Sequence, residues 1–180
     1  EEKNDGKQET FGFIINVAEL FEIYVTKLLQ KEFNDWYIES PKIELYPNQF
    51  FARKIIPDIV MIKDNDVVVF DTKYKKMQMR DRYYQNGGDV DRNDFFQINT
   101  YMSYYQNHHK YNVTIGGLLY PMDSFKKEKC HSETWFENLN TKFIVDGIDL
   151  SDLKEAEDDE NKFAPILKRE QEFLDRIKRL

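Results

Sequence analysis

The chain has 180 residues, 41% of them hydrophobic and 15% aromatic, which suits one globular domain with a proper core and excludes a disordered segment. No apolar run reaches about 18 residues and no signal-type segment opens the chain, so a helical membrane protein is excluded and a soluble, cytoplasmic one is expected. Cys130 stands alone, which excludes an internal disulfide and fits a reducing compartment.

The formal net charge is −7, a poor match for a nucleic-acid-binding protein until its distribution is read. Residues 149–160 carry seven acids against Lys154 alone and supply −6 of that total. The remainder is close to neutral, and Lys73, Lys75, Lys76, Arg80 and Arg82 form a basic cluster interrupted only by Asp81.

In chain order, residues 1–9 are polar and expected to be loose. The opening Glu1-Glu2, without methionine, reads as a trimmed piece of something longer. Helical periodicity runs from Phe13 to Lys31, with Ile14, Val17, Phe21, Tyr24, Val25 and Leu28 on one stripe. Trp36 to Tyr46 has period-2 character and ends at Pro47, a candidate strand. Two apolar runs follow, Ile59–Ile62 and Val67–Phe70, joined by Lys63-Asp64-Asn65-Asp66. Residues 77–92 form a long polar and aromatic connection with a Gly87-Gly88 break, of a length that tends to be functional. A second helix is expected from about Asn93 to His108, capped by Asn93 or Asp91. Val113 to Tyr120 reads as a strand closed by Pro121, and Lys142–Val145 as another within an ambiguous stretch from Ser132. The acidic segment leads to an amphipathic helix from Phe163 to Leu180. Neither internal repeats nor a glycine-rich phosphate loop appear. The order predicts an α/β fold: a mixed sheet flanked by helices in residues 1–148, with one strand–helix–strand crossover, extended by the acidic segment and helix of residues 149–180.

The chemistry concentrates at the two central runs. Asp and Asn tolerate the left-handed backbone of a two-residue hairpin loop, so Asp64-Asn65 is the expected tip. Pairing Lys63 with Asp66 then sets Asp58 opposite Asp71, with Cβ atoms roughly 5 Å apart. Like charges so close repel, and a divalent cation is the usual remedy. Lys73, two residues past Asp71, falls on the same face. Two carboxylates and a lysine in one place suit metal-assisted phosphodiester hydrolysis. A slip of one residue would put the two aspartates on opposite faces.

With these residues the chain resembles the PD-(D/E)xK nuclease superfamily. Leu20-Phe21-Glu22, Ile56-Pro57-Asp58-Ile59-Val60, Asp71-Thr72-Lys73-Tyr74-Lys75, Asp94 through Tyr101 and Gly117-Leu118-Leu119-Tyr120-Pro121 resemble the McrC family, with its LlaJI-type relatives, over roughly residues 14 to 121. The resemblance implies a restriction-endonuclease-like core and a Mg²⁺-dependent endonuclease subunit of a modification-dependent restriction system, hence phage defence. Asp58 and Asp71 would hold Mg²⁺, or Mn²⁺ in its place, with the Thr72 carbonyl and Glu22 adding oxygens. Lys73 would orient or deprotonate a water, or stabilise charge on the phosphate. Gln97 and Tyr101, four apart on one helix face, resemble a Gln-xxx-Tyr motif, Gln97 holding Lys73 or a phosphate and Tyr101 supporting the site, with Asp94 beside them. The basic cluster Lys75, Lys76, Arg80 and Arg82, with Tyr83 and Tyr84, would contact duplex DNA. The resemblance further implies a separate AAA+ GTPase motor, contacted through a segment preceding the nuclease domain. If both strands are cut, a domain with one site would call for two copies meeting on DNA.

Blander readings compete. Asp58 after Pro57 could form a turn, Asp71 with Lys73 could be a structural ion pair, and Glu19 could serve in place of Glu22. The pairs His108-His109 and Cys130-His131 match no zinc spacing. The alternative function is a non-catalytic DNA-binding or motor-docking module with the same fold.

Overall fold

The computed structural model of the chain describes residues 16–75, 90–122, 131–150 and 163–180. The elements, in order, are α1 (Val17–Glu32), β1 (Tyr37–Glu39), β2 (Ile43–Leu45), β3 (Arg53–Ile55), β4 (Ile59–Lys63), β5 (Asp66–Thr72), α2 (Arg92–Gln106), β6 (Asn112–Met122), β7 (His131–Trp135), β8 (Asn138–Asp149) and α3 (Ala164–Lys178). Six strands form one sheet in the order β1-β4-β5-β6-β8-β7, and β2 pairs with β3 alone. The pairs β5–β6 and β6–β8 are parallel; the outer pairs are antiparallel. The mixed α/β sheet flanked by helices is therefore observed. None of the described helices is long and apolar enough to cross a membrane.

The central hairpin has the register expected from its turn. Ile59 pairs with Phe70 and Lys63 with Asp66, and Asp64 takes the left-handed backbone at φ 55°. Extended by one residue, that ladder sets Asp58 against Asp71. The run Val67–Phe70 is buried on both faces, as a central strand with a parallel neighbour must be.

Two clusters sandwich the sheet. On one face α1 and α3 supply Phe21, Val25, Leu29, Phe173, Leu174 and Ile177, which meet Ile59, Met61, Val68 and Phe70. On the other, α2 supplies Ile98, Tyr101, Met102 and Tyr105 against Val60, Val67, Val69 and Leu118. α3 is thus part of the core. Tyr24 Oη donates to Glu170 Oε1 at 2.6 Å across the two helices, and the Arg176 guanidinium bonds both Asp146 oxygens on β8.

Several boundaries differ from expectation. α1 begins at Val17, because the Asn16 side chain accepts from Glu19 N at 3.3 Å and caps it. Its buried stripe is Phe21, Val25 and Leu29, one turn apart, while Val17 is exposed; Ile14 lies outside the described residues. Trp36–Tyr46 is two short strands in different sheets, divided at Ser40-Pro41, where proline offers no ladder donor. Pro121 does not close β6, which runs to Met122. β5 stops beside Leu119, so beyond it β6 has one neighbour and proline can sit on the vacated side. The ambiguous stretch is a β7–β8 hairpin turning at Phe136, φ 51°. β6 and β8 approach closely enough that a Cβ on Gly147 would lie 1.7 Å from the Tyr120 carbonyl oxygen.

Candidate active site

Proline and chain direction place the first carboxylate. Pro57 interrupts the chain before β4, so Asp58 sits one residue ahead of the ladder. Thr72 ends β5 one residue past Asp71, the residue opposite Asp58. Thr72 N donates to Asp58 Oδ2 at 2.7 Å and Thr72 Oγ1 donates to the same oxygen at 2.9 Å. The carboxylate is thus held at a fixed angle by its neighbour strand.

Asp71 carries the second carboxylate, wholly buried on the strand that runs through the sheet centre. Alternation along β5 puts Asp71 with Val67 and Val69, on the side that faces α2. Its Oδ2 lies 2.5 Å from Lys73 Nζ in an ion pair, and both of its oxygens are shut away from solvent. Burial, and next the charge of Asp58, push the Asp71 carboxyl up to about 7, against the opposing pull of Lys73. A buried acid beside a second acid wants a cation.

Lys73 lies just past β5, its N–H donating to Leu119 O at 2.9 Å. Its ammonium donates to Gln97 Oε1 at 3.0 Å, and Gln97 Nε2 donates to Tyr101 Oη at 2.7 Å. A relay of one helix turn on α2 therefore fixes the lysine against Asp71. Burial lowers the Lys73 pKa, but the neighbouring Asp71, Asp58 and Asp94 charges outweigh it, and the net direction is up. Lys73 is an ammonium at neutral pH. Burial also raises the Tyr101 hydroxyl, which stays protonated.

Glu22 reaches this end of the sheet from α1. Its carboxyl is raised by partial burial, then by Asp58 and Glu19, and lowered by Lys73. It is therefore within electrostatic reach of the pair. Among the described residues, however, no three His, Cys, Asp or Glu side chains gather as a metal-ligating cluster. Asp58 and Asp71 stand opposed at the end of the hairpin, and Glu22 acts on them through its charge.

The donor set still fits Mg²⁺. That ion is bound through one or two carboxylates, keeping its other positions for waters and substrate phosphate. Two opposed aspartates, one buried and raised in pKa even beside Lys73, match that need.

Asp91 caps α2, accepting from Asn93 N and Asp94 N at 2.8 and 3.3 Å. Asp94 is mostly buried. It accepts from Tyr120 Oη at 3.4 Å and holds Lys75 Nζ at 2.5 Å, with Asp91 a second anion at 3.8 Å. Lys75, expected on DNA, stands half-exposed at the end of β5 with its ammonium against the acidic first turn of α2. Lys76, Arg80, Arg82, Tyr83 and Tyr84 lie outside the described residues, as do Cys130 and most of the acidic segment. His108 and His109 stack on each other at 4.8 Å just beyond α2. The Thr72 donors on Asp58 were not foreseen. A hydroxyl residue directly after a candidate ligand was the available signal.

A family model described as McrBC 5-methylcytosine restriction system component matches residues 1–121. Among curated protein sequences none matches. Among solved structures, a chain of the half-complex from the tetradecameric assembly of Thermococcus gammatolerans McrB AAA+ hexamers with bound McrC has the same fold. The TM-score is 0.58 at 20% identity, over 93% of this chain and 34% of that one. The present chain thus spans about a third of that relative.

Proposed function

We propose that this chain, which belongs to the McrBC 5-methylcytosine restriction system component family, is the DNA-cleaving part of such a system. In this reading it hydrolyses phosphodiester bonds of duplex DNA with Mg²⁺, in the cytoplasm, beside a separate AAA+ GTPase motor. The observation that carries the reading is the opposed Asp58–Asp71 pair closed by Lys73, with Asp71 wholly buried and its carboxyl raised to about 7 despite that lysine. The motor is supported by the family and by the shared fold with a McrB–McrC assembly.

Asp58 and Asp71 would hold the ion. Bound there, Mg²⁺ supplies charge for the scissile phosphate and lowers the pKa of a nucleophilic water. Lys73, held as an ammonium by Asp71 and Gln97, orients that water and stabilises negative charge growing on the phosphate. Thr72 keeps Asp58 turned toward the ion. Gln97 and Tyr101 keep Lys73 from swinging away, and Glu22 adds negative potential on the α1 side. Cleavage of both strands would call for two copies meeting on DNA.

Calorimetric titration of Mn²⁺ into the chain tests this beside a folded Asp58→Asn/Asp71→Asn variant. Binding by the parent alone is expected. Equal binding by both, or by neither even with duplex DNA present, would sink the reading in favour of a non-catalytic module.

A further inference from the structure

Among the described residues the β2–β3 ribbon stands apart from the six-stranded sheet and pairs only with itself. Its base is fixed. Ile43 and Ile55 pack against the rim of the α2-side cluster, and Ser40 Oγ donates to Pro57 O at 2.9 Å. Pro57 immediately precedes Asp58, so the ribbon and the site share one anchored peptide.

Its tip has a composition that water alone does not favour. Tyr46 is 61% exposed, Phe51 43% and Phe50 99%. The rings are not scattered: Tyr46 and Phe51 lie 5.3 Å apart, and Phe50 packs edge-on against Phe51 at 4.9 Å. Two successive turns shape the tip, Gln49 N donating to Tyr46 O and Ala52 N to Gln49 O, each at 3.2 Å. The cost is strain. Tyr46 sits at φ 54°, a left-handed backbone that a bulky residue adopts only under constraint. Strain held at an exposed aromatic tip is a feature that folding did not require.

The charges around the rings choose the partner. The strands carry Arg53 and Lys54, with Lys42 just before them, against Glu44 alone. Lys54 pairs with Glu44 at 2.7 Å, while Lys42 and Arg53 are exposed and enter no ion pair among the described residues. Rings flanked by surplus cations suit bases flanked by phosphates.

We propose that this ribbon is a second DNA contact, in which Phe50 and Phe51 stack on or wedge between bases near the cut phosphate while Arg53 and Lys42 hold flanking phosphates. The proposal rests on the nuclease reading. Its role is to bend or open the duplex so that one strand reaches Asp58 and Asp71, the stacking offsetting the cost of unstacking.

The test uses a fluorescein-labelled duplex carrying 2-aminopurine, with Ca²⁺ to allow binding without turnover. Anisotropy reads affinity, and 2-aminopurine emission reads unstacking. The parent should bind and raise the emission. Phe50→Ala/Phe51→Ala should bind about tenfold more weakly, leave the emission flat, and keep the parent's salt slope, since no phosphate contact is lost. Phe50→Tyr/Phe51→Tyr, which keeps both rings, should restore the signal. Circular dichroism of each variant confirms folding. If the alanine variant binds and brightens like the parent, the ribbon is not a DNA contact and the nuclease reading stands. If the parent itself binds no DNA, both fall. Loss of binding to a protein partner with DNA binding intact would also overturn the proposal.

Discussion

Thr72 and Asp58 meet across the central hairpin through two hydrogen bonds to a single oxygen, Thr72 N and Oγ1 both donating to Asp58 Oδ2. One of those donors belongs to the backbone and survives any substitution except proline. The other is the hydroxyl. Thr72→Val keeps shape and burial but removes it, so the carboxylate gains rotational freedom. Partners that orient a ligand typically govern about 10–100-fold in metal affinity. Thr72→Val should weaken Mn²⁺ binding by about tenfold, read by calorimetry, and Thr72→Ser should restore it. Undiminished affinity in the valine variant would show that the backbone donor suffices.

The buried Asp71 predicts an unusual pH dependence in the metal-free chain. Its folded pKa is raised from 3.8 to about 7, so folding favours its protonated form. Below the unfolded value the group costs nothing. As pH rises from about 4 to 7 the folded state increasingly bears a buried charge, and stability falls. The full shift corresponds to about 4 kcal/mol. Asp71→Asn should therefore be more stable than the parent above pH 7 by about 1–3 kcal/mol, and no more stable near pH 4. Added Mn²⁺ should raise the parent's Tm and leave the variant's unchanged. Urea unfolding at several pH values checks the first part. A stability difference between parent and Asp71→Asn that does not change between pH 4 and 7 would contradict the assignment.

Gln97 holds Lys73 Nζ at 3.0 Å and is itself held by Tyr101. It touches neither carboxylate, so its effect on cleavage runs through the lysine. Gln97→Ala should slow single-turnover cleavage by about 10–100-fold with little change in DNA affinity. Tyr101→Phe, which removes the far end of the relay, should cost less. A Gln97→Ala variant that lost affinity instead would place Gln97 on the phosphate.

Lys75 distinguishes a structural cation from a DNA contact. Its ammonium lies 2.5 Å from Asp94, a mostly buried acid at the first turn of α2. Lys75→Ala leaves that acid without its cation. The expected result is a stability loss of about 1 kcal/mol or more with the salt dependence of DNA binding unchanged. A salt slope smaller by about one, with stability intact, would return Lys75 to the DNA surface.

Local rules made much of the site readable before any coordinates. The two-residue turn at Asp64-Asn65 and the period of two along β4 and β5 together fix a register, and a register fixes which residues oppose. The Asp58–Asp71 opposition follows without knowledge of the rest of the fold. The cap of α2 was local to within two residues: the sequence offered Asn93 or Asp91, and Asp91 is the one that accepts from the first free N–H groups. Where two local signals compete, reading fails. Trp36–Tyr46 looked continuous because alternation persists through it, yet Pro41 divides it between two sheets. Pro121 looked like a terminator, but the ending of β5 had already vacated its side of β6.

The sequence by itself determined the hairpin, its register and the two acids and lysine at its open end, because turn chemistry and strand alternation act over a few residues. Tertiary structure alone decided what those groups became. Only the packing of α2 on β5 brings Gln97 to Lys73 and Asp94 to Lys75, and only the approach of α1 brings Glu22 into the field of Asp58. Only closure of helices over both faces strips water from Asp71. Burial and charge proximity sum over the whole surroundings of a group, and those surroundings are assembled from segments far apart in the chain.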